Sequence, residues 1–232
     1  MENVFKISYK IFLLNEVKQE EALIKIASCI DRTLLKDEKW SKLHMENCFK
    51  PYCFSAFYPL AQNGKYKKNQ VYQITIRTVN LELAQYLIQN LPKYDDNVMK
   101  GLICEGNILR RSYISALYSL TPVIVKGKNG KYWRDDMTFL EFEEQLRVNL
   151  IKKYRTFWGE ESINESLFTD YIEIKNRVPI KIPYKNIYLL GDKLYMRISE
   201  HPDAQKLAYL ALGTGLGNMN TRGMGAVNAE FQ

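Results

Sequence analysis

The period of apolar and polar positions changes several times along the chain, and each change marks an element. Residues 4–14 (VFKISYKIFLL) are rich in β-formers and alternate over part of their length, which predicts a strand. Leu23, Ile26, Ala27, Ile30 and Leu34 then recur at helical spacing, so a helix is expected from about Lys18 to Leu34. A polar, lysine-rich connection, Lys36 to Lys50, leads to a second strand over 52–60 (YCFSAFYPL). Gln62-Asn63-Gly64-Lys65 makes a turn into a third strand over 70–79, where Tyr72, Ile74 and Ile76 share one face. Asn80 suits the N-cap of a helix carrying Leu81, Ala84, Leu87, Ile88 and Leu91 and stopped by Pro92. After a loop over 93–106, residues 107–118 (NILRRSYISALY) read as a fourth strand. The order strand-helix-strand-strand-helix-strand is that of a ferredoxin-like unit, with both helices on one sheet face and the other face free for binding.

A second unit opens with Thr121-Pro122-Val123-Ile124-Val125. Thr138 and Glu141 are spaced as a capping box for a helix to about Trp158, along which Phe139, Phe142, Leu146, Leu150 and Phe157 are spread. Strands are expected over 171–182 and 186–198, the latter folded over at Gly191-Asp192. Ser199 is a possible N-cap and Pro202 a first-turn proline for a helix through Leu212, with Gly213 at its C-terminal cap. A last strand is expected over 225–231. The expected fold class is therefore α+β: two tandem ferredoxin-like (RRM-like) βαββαβ units, residues 1–120 and 121–232, the second with a glycine-rich loop at 213–225.

Composition narrows the function classes. At 232 residues, 46% hydrophobic and 25% charged, the chain has the make-up of a globular protein with a sizeable core. Its net charge of +7 permits a polyanionic partner, and the 17 basic and 12 acidic residues of the first 120 against 16 and 14 in the rest exclude a separate basic tail. Sixteen tyrosines add groups that can stack on bases. Cys29, Cys48, Cys53 and Cys104 form no Cys-x-x-Cys pair and only two histidines exist, so neither a zinc site nor another cofactor is expected. The N-terminus has no secretory pattern and no window nears the ~18 apolar residues of a membrane span, which points to the cytoplasm with reduced thiols.

The densest local signal is Gly213-Thr214-Gly215-Leu216-Gly217-Asn218-Met219-Asn220-Thr221-Arg222-Gly223-Met224-Gly225, which holds five of the twelve glycines. Such clusters commonly turn backbone amides toward phosphate, and Leu216 and Met224 argue for a packed loop over a flexible tail. A dinucleotide-binding reading fails, because that motif needs a strand before it and a helix opening at it, whereas here a helix precedes the glycines.

Tandem ferredoxin-like units ending in Gly215-Leu216-Gly217, five residues and Gly223-Met224-Gly225 resemble the repeat-associated (RAMP) proteins of CRISPR systems, in particular the endoribonucleases that process the CRISPR precursor transcript. Lys50-Pro51-Tyr52-Cys53-Phe54-Ser55, with His44 six residues before the lysine, is similar to that family's second strand and its approach, and 121–125 to the opening of its second unit. The resemblance implies metal-independent cleavage of each repeat in the precursor RNA, leaving a 2′,3′-cyclic phosphate. Attack by a ribose 2′-OH needs a base, an acid for the leaving 5′-oxygen, and cationic donors for the charge growing on phosphorus. His44, a residue type that exchanges protons near neutral pH, and Lys50, a compact charge, are the expected catalytic residues. Gly215, Gly217, Arg222, Gly223 and Gly225 are expected to bind RNA.

Many family members place a tyrosine near the end of the first helix, where this chain reads Ala27-Ser28-Cys29-Ile30-Asp31; Tyr52 could replace it. His201, before Pro202, is read as supporting a turn. Further basic groups on offer to RNA are Lys65, Lys67 and Lys68, one of Arg110 and Arg111, and Lys126, Lys128, Lys131 and Arg134. The expected partner is CRISPR repeat RNA, with other CRISPR effector subunits as further partners and a monomer or homodimer as the state. The alternative reading keeps the fold without the chemistry: a non-cleaving RNA-binding RAMP subunit of an effector complex.

Overall fold

In the computed structural model, which describes residues 2–159, 163 and 168–232, the chain builds two four-stranded antiparallel sheets. The first contains β1 (Phe5–Leu13), β2 (Tyr52–Phe54), β3 (Val71–Thr78) and β4 (Met99–Ile108) in the order β2-β3-β1-β4. Helices α1 (Ala22–Leu34) and α3 (Leu81–Asn90) cover one face, burying Ile7, Tyr9, Ile11 and Leu13 with Ile74, Ile76, Ile26, Ile30 and Leu87. Asn80 caps α3 as its sequence suggests, its Oδ1 accepting from Leu83 N at 2.8 Å. The second sheet contains β5 (Ile114–Ser119), β6 (Thr169–Ile174), β9 (Leu194–Ile198) and β10 (Val227–Phe231) in the order β10-β5-β9-β6. Its core joins Leu117, Met196 and Val227 to α4 (Phe139–Trp158) and α5 (Pro202–Thr214). Both orders place the first and third strands centrally, as in a ferredoxin-like unit.

Several local expectations are corrected. Residues 107–118 are not one strand. Met99–Ile108 pairs with β1 in the first sheet (Tyr9 opposite Cys104), while Ile114–Ser119 lies in the second (Leu117 opposite Ala229). β4 is an edge strand with Leu102, Ile103 and Ile108 exposed, so it lacks the alternation of a half-buried strand and, with Gly101 and Gly106, reads as loop. The chain thus changes sheets over 109–113. That crossover is tied down by Tyr209, whose OH donates to Leu109 O at 2.5 Å and accepts from Val4 N at 3.1 Å. Arg110 and Arg111 lie in it and not on a strand.

Residues 175–192 also depart from expectation. β6 ends at Ile174, and β7 (Ile180–Tyr184) and β8 (Ile187–Gly191) form a separate hairpin. At α5, Ser199 is not the cap: His201 Nδ1 accepts from Asp203 N at 3.2 Å, with Pro202 in the first turn. The helix runs on to Thr214, so Gly213 is helical. A Cβ there would sit 2.7 Å from Val79 Cγ1 and 3.1 Å from Val4 Cγ2, so this glycine lets α5 lie against the first unit. The second face of the first sheet is covered in part, at β2 and β3, with Lys10, Ile103 and Glu105 left exposed. Cys53 faces Leu212 of α5 (Sγ to O, 3.7 Å), and the buried Arg77 donates to Val227 O at 2.5 Å and Asn228 Oδ1 at 3.0 Å. Among the described residues no helix is long and apolar enough to cross a membrane.

Candidate active site

The stretch 36–50, expected as a polar connection, contains a helix, α2 (Glu38–Met45). Asp37 caps it through Trp40 N at 3.1 Å, and Trp40 packs beside Tyr86 of α3, ring centroids 5.9 Å apart. Its other end is capped by Lys50, whose Nζ donates to Glu46 O at 2.7 Å and also to Leu43 O. Donors on the last carbonyls of a helix satisfy groups that have no partner within it and suit its dipole. Lys50 therefore secures the end of the helix that carries His44.

His44 faces α1. Its Nδ1 is 3.4 Å from Asp31 Oδ1, with both side chains four-fifths buried. The other oxygen of Asp31 accepts from Arg222 Nη1, in the glycine-rich loop 191 residues away. Burial opposes the charge of Arg222, but the hydrogen bond and charge of Asp31 outweigh it and hold its pKa above the ordinary value. Asp31 Oδ1 is buried without a hydrogen-bond partner in the chain, 3.4 Å from the imidazole nitrogen. Asp31 and Arg222 end a cleft of about 400 Å³ between α1 and the β7–β8 hairpin, lined also by Ile24, Ala27, Tyr184 and Met224. Tyr52 lies behind this pair, 2% exposed, and burial pushes its phenol pKa up. It faces the core and does not supply the missing tyrosine at the cleft.

The glycine-rich loop is turned inward. Gly215, Gly217, Gly223 and Gly225 are buried with φ between +62° and +82°. Gly215 N donates to Ala211 O, Gly223 N to Asn220 O and Gly225 N to Pro122 O, at 2.8–3.0 Å. The amides of Gly215, Gly223 and Gly225 thus bond within the protein, while Gly217 lines a groove with Lys50 and Lys126. Arg222 is the member of the expected binding set that reaches the cleft, its side chain one-third exposed. The loop carbonyls gather around Lys153 of α4, whose Nζ is 2.9 Å from Gly215 O, 3.1 Å from Gly217 O and 2.8 Å from Asn220 Oδ1.

With this geometry in view, the comparison with known families is decisive. A family model described as CRISPR associated protein Cas6, C-terminal, matches residues 109–229, more than half of the chain. The chain belongs to the Cas6 family. The match begins where the chain leaves the first sheet. A curated relative from Methanocaldococcus jannaschii, "CRISPR-associated endoribonuclease Cas6 2", is 24% identical over 213 residues, covering 84% of this chain and 87% of the relative. Among solved structures, "An RAMP protein binding different RNA substrates" superposes with a TM-score of 0.71 at 16% identity (97% and 99% of the chains). A Cas6-related protein from Pyrococcus furiosus gives 0.67 at 18% identity (98% of each). At these identities the superpositions show the shared fold: the tandem ferredoxin-like architecture of Cas6 and RAMP proteins.

The remaining basic groups divide by partner. Lys65 pairs with Glu16 and Lys128 with Glu141 at the surface, and Arg111 with Glu2. Arg134 belongs to a structural network: with Tyr132, Trp133 and Asn176 it surrounds the fully buried carboxylate of Asp192. Lys126 lines a groove of about 570 Å³ with Phe49, Lys50, Asn218 and Thr221. His201 caps α5 and lies outside the His44–Asp31–Arg222 cluster, in line with a supporting role.

Two residues were not read as part of the site: Asp31, and Lys153, which near the end of α4 is expected only to suit the helix dipole. Asp31 was visible only as the place of an absent tyrosine. Lys153 carried a readable signal, because it falls on the stripe Leu146, Leu150, Tyr154, Phe157 of α4, where an apolar residue is expected.

Proposed function

We propose that this chain is an endoribonuclease that binds CRISPR repeat sequences in a precursor RNA and cuts them without a metal. The observation that carries the reading is the clustering of His44 and Arg222 about Asp31, whose side chain and that of Arg222 line the cleft between α1 and the β7–β8 hairpin. With Nδ1 turned to Asp31, the Nε2 atom of His44 is the one left for RNA. A carboxylate accepting from Nδ1–H fixes the tautomer whose Nε2 takes a proton, as in other carboxylate-oriented histidines. His44 then removes the proton of a ribose 2′-OH, the O2′–P bond forms, the P–O5′ bond breaks, and the 5′-oxygen takes a proton from solvent water, to which the imidazolium returns one. The products are a 2′,3′-cyclic phosphate and a 5′-hydroxyl. Arg222, bonded to Asp31 through Nη1 and one-third exposed, supplies positive charge beside the phosphate that passes through five-coordination. In this reading Lys50 acts by holding α2, and the curated relative's description as an endoribonuclease supports the activity.

Repeat RNA from the array adjoining the gene, incubated with the purified protein in EDTA, tests this. His44→Ala is expected to abolish cutting while RNA affinity stays within about threefold. A His44→Ala protein that cuts at the wild-type rate would sink the assignment. A wild type that binds the repeat and leaves it whole would favour the non-cleaving subunit instead, a reading supported by Lys50 being bound to its own helix and by the absence of a tyrosine near the end of α1.

A further inference from the structure

Lys153 is one of the most buried charged side chains of the described chain, 2% exposed, and lysine is almost never so buried unless paired. The acceptors around it are two backbone carbonyls and one amide oxygen, those of Gly215, Gly217 and Asn220, at 2.8–3.1 Å. An ammonium has three donors, so these three bonds saturate it. Gly215 is the C-cap of α5, so the charge also sits at the negative end of that helix. Burial nonetheless drives its pKa down to about 7, a sign that the site strains to keep its proton.

A methionine of similar length would avoid that cost, but it would strand three buried acceptors. What the lysine does in return is set by where those acceptors lie. Gly215, Gly217 and Asn220 span the first half of the glycine-rich loop, and Asn220 crosses to its second half, its Nδ2 donating to Leu216 O at 2.9 Å and Met224 O at 3.0 Å. Two residues after Asn220, Arg222 leaves the loop to meet Asp31, whose other oxygen faces His44. A set of contacts thus runs from α4 of the second unit to Asp31 of the first, whose other oxygen lies 3.4 Å from the imidazole of His44.

We propose that Lys153 is a positioning residue for RNA cleavage: its Nζ holds the glycine-rich loop in the conformation that presents Arg222 to Asp31 and so orients His44. The inference rests on the proposed ribonuclease reading. On this proposal Lys153 acts through the loop, and the cycle below separates that from a direct contact in the groove that it lines with Lys50 and Lys126.

The test is a double-mutant cycle on single-turnover cleavage of repeat RNA, with affinity measured separately. Lys153→Met is expected to lower the cleavage rate about a hundredfold, the size of loss that a misplacement of about 1 Å produces, with RNA affinity within about threefold. Lys153→Gln, which keeps two donors, should recover part of the rate. Arg222→Ala and the Lys153→Met/Arg222→Ala double variant should cut equally slowly, because the first change acts only through Arg222. Multiplying losses, or a Lys153→Met protein that cuts at the wild-type rate, would overturn the proposal and leave the ribonuclease reading intact. A wild type that does not cut repeat RNA would overturn both. Should Lys153→Met fail to fold, Asn220→Ala, which removes the crossing contacts of the loop, takes its place in the same cycle with the same outcomes.

Discussion

Gly225→Ala separates two roles for the glycine-rich loop, a packed structural element and a phosphate cradle. Gly225 has φ +67°, and a Cβ built on it would lie 2.0 Å from Leu216 O and 3.0 Å from Asn220 Nδ2. Both neighbours are fixed: Leu216 N donates to Gly225 O, and Asn220 is held by Lys153 and by Leu216 and Met224. A left-handed alanine costs about 1–2 kcal/mol, and forcing an extra carbon into a packed site about 1–3 kcal/mol more. The expected loss is therefore about 2–5 kcal/mol, a large part of a typical stability of about 5–15 kcal/mol. Gly130→Ala is the control, because Gly130 has a similar φ of +73° with nothing within 4 Å of the added carbon. Urea unfolding of both variants gives the difference directly, and Gly225→Ala should unfold at clearly lower urea with an unchanged slope. RNA affinity of the folded fraction should hardly move. Equal stabilities for the two variants would refute the close-packing account. Normal stability with lost RNA affinity would restore the amides of the loop as ligands.

Two further outcomes follow from buried charges. Asp192 is fully buried and receives Tyr132 Oη, Trp133 Nε1, Arg134 Nη2 and Asn176 Nδ2 at 2.6–2.8 Å, so Asp192→Ala strands those donors and is expected to cost about 3–5 kcal/mol in urea unfolding; a loss under about 1 kcal/mol would contradict the network. For Lys153, whose pKa falls from 10.5 to about 7 on folding, the unfolded chain holds a proton between those values that the folded chain has released. Its contribution to stability therefore rises as pH rises from 7 toward 10.5, and Lys153→Met should flatten that part of the stability–pH curve; an identical curve in the variant would refute it.

The architecture was legible wherever one face of an element is buried. β1 and β3 alternate because one side packs on helices, and α3 and α4 announce themselves through Asn80 and the Thr138–Glu141 capping box, both present in the structure. Legibility failed where burial is sparse. Trp40 is the one buried side chain in the eight residues of α2, too few to set a period, and β4 is an exposed edge. The site was half legible for a different reason. His44 stood out by residue type, whereas Asp31 is an acidic residue near a helix end whose meaning depends on Arg222, far away in sequence. The glycines were read as ligands because φ > 0 and close approach serve packing and anion binding alike, and only the partners of their amides decide between the two.

Those partners also explain why the site needs both units. His44 and Asp31 belong to the first, and Arg222 and Lys153 to the second. Their mutual placement depends on how the units pack, and that packing has the character of a core. α5 is buried on nearly every side from Leu207 to Thr214, and Gly213 admits Val4 and Val79 where any side chain would collide. Arg77 donates to Val227 O and Asn228 Oδ1 and so closes the seam. A contact this dense does not act as a hinge. On the proposed reading the pairing of Arg222 with Asp31 is therefore set when the chain folds, and the His44 imidazole alone must turn to complete the cluster.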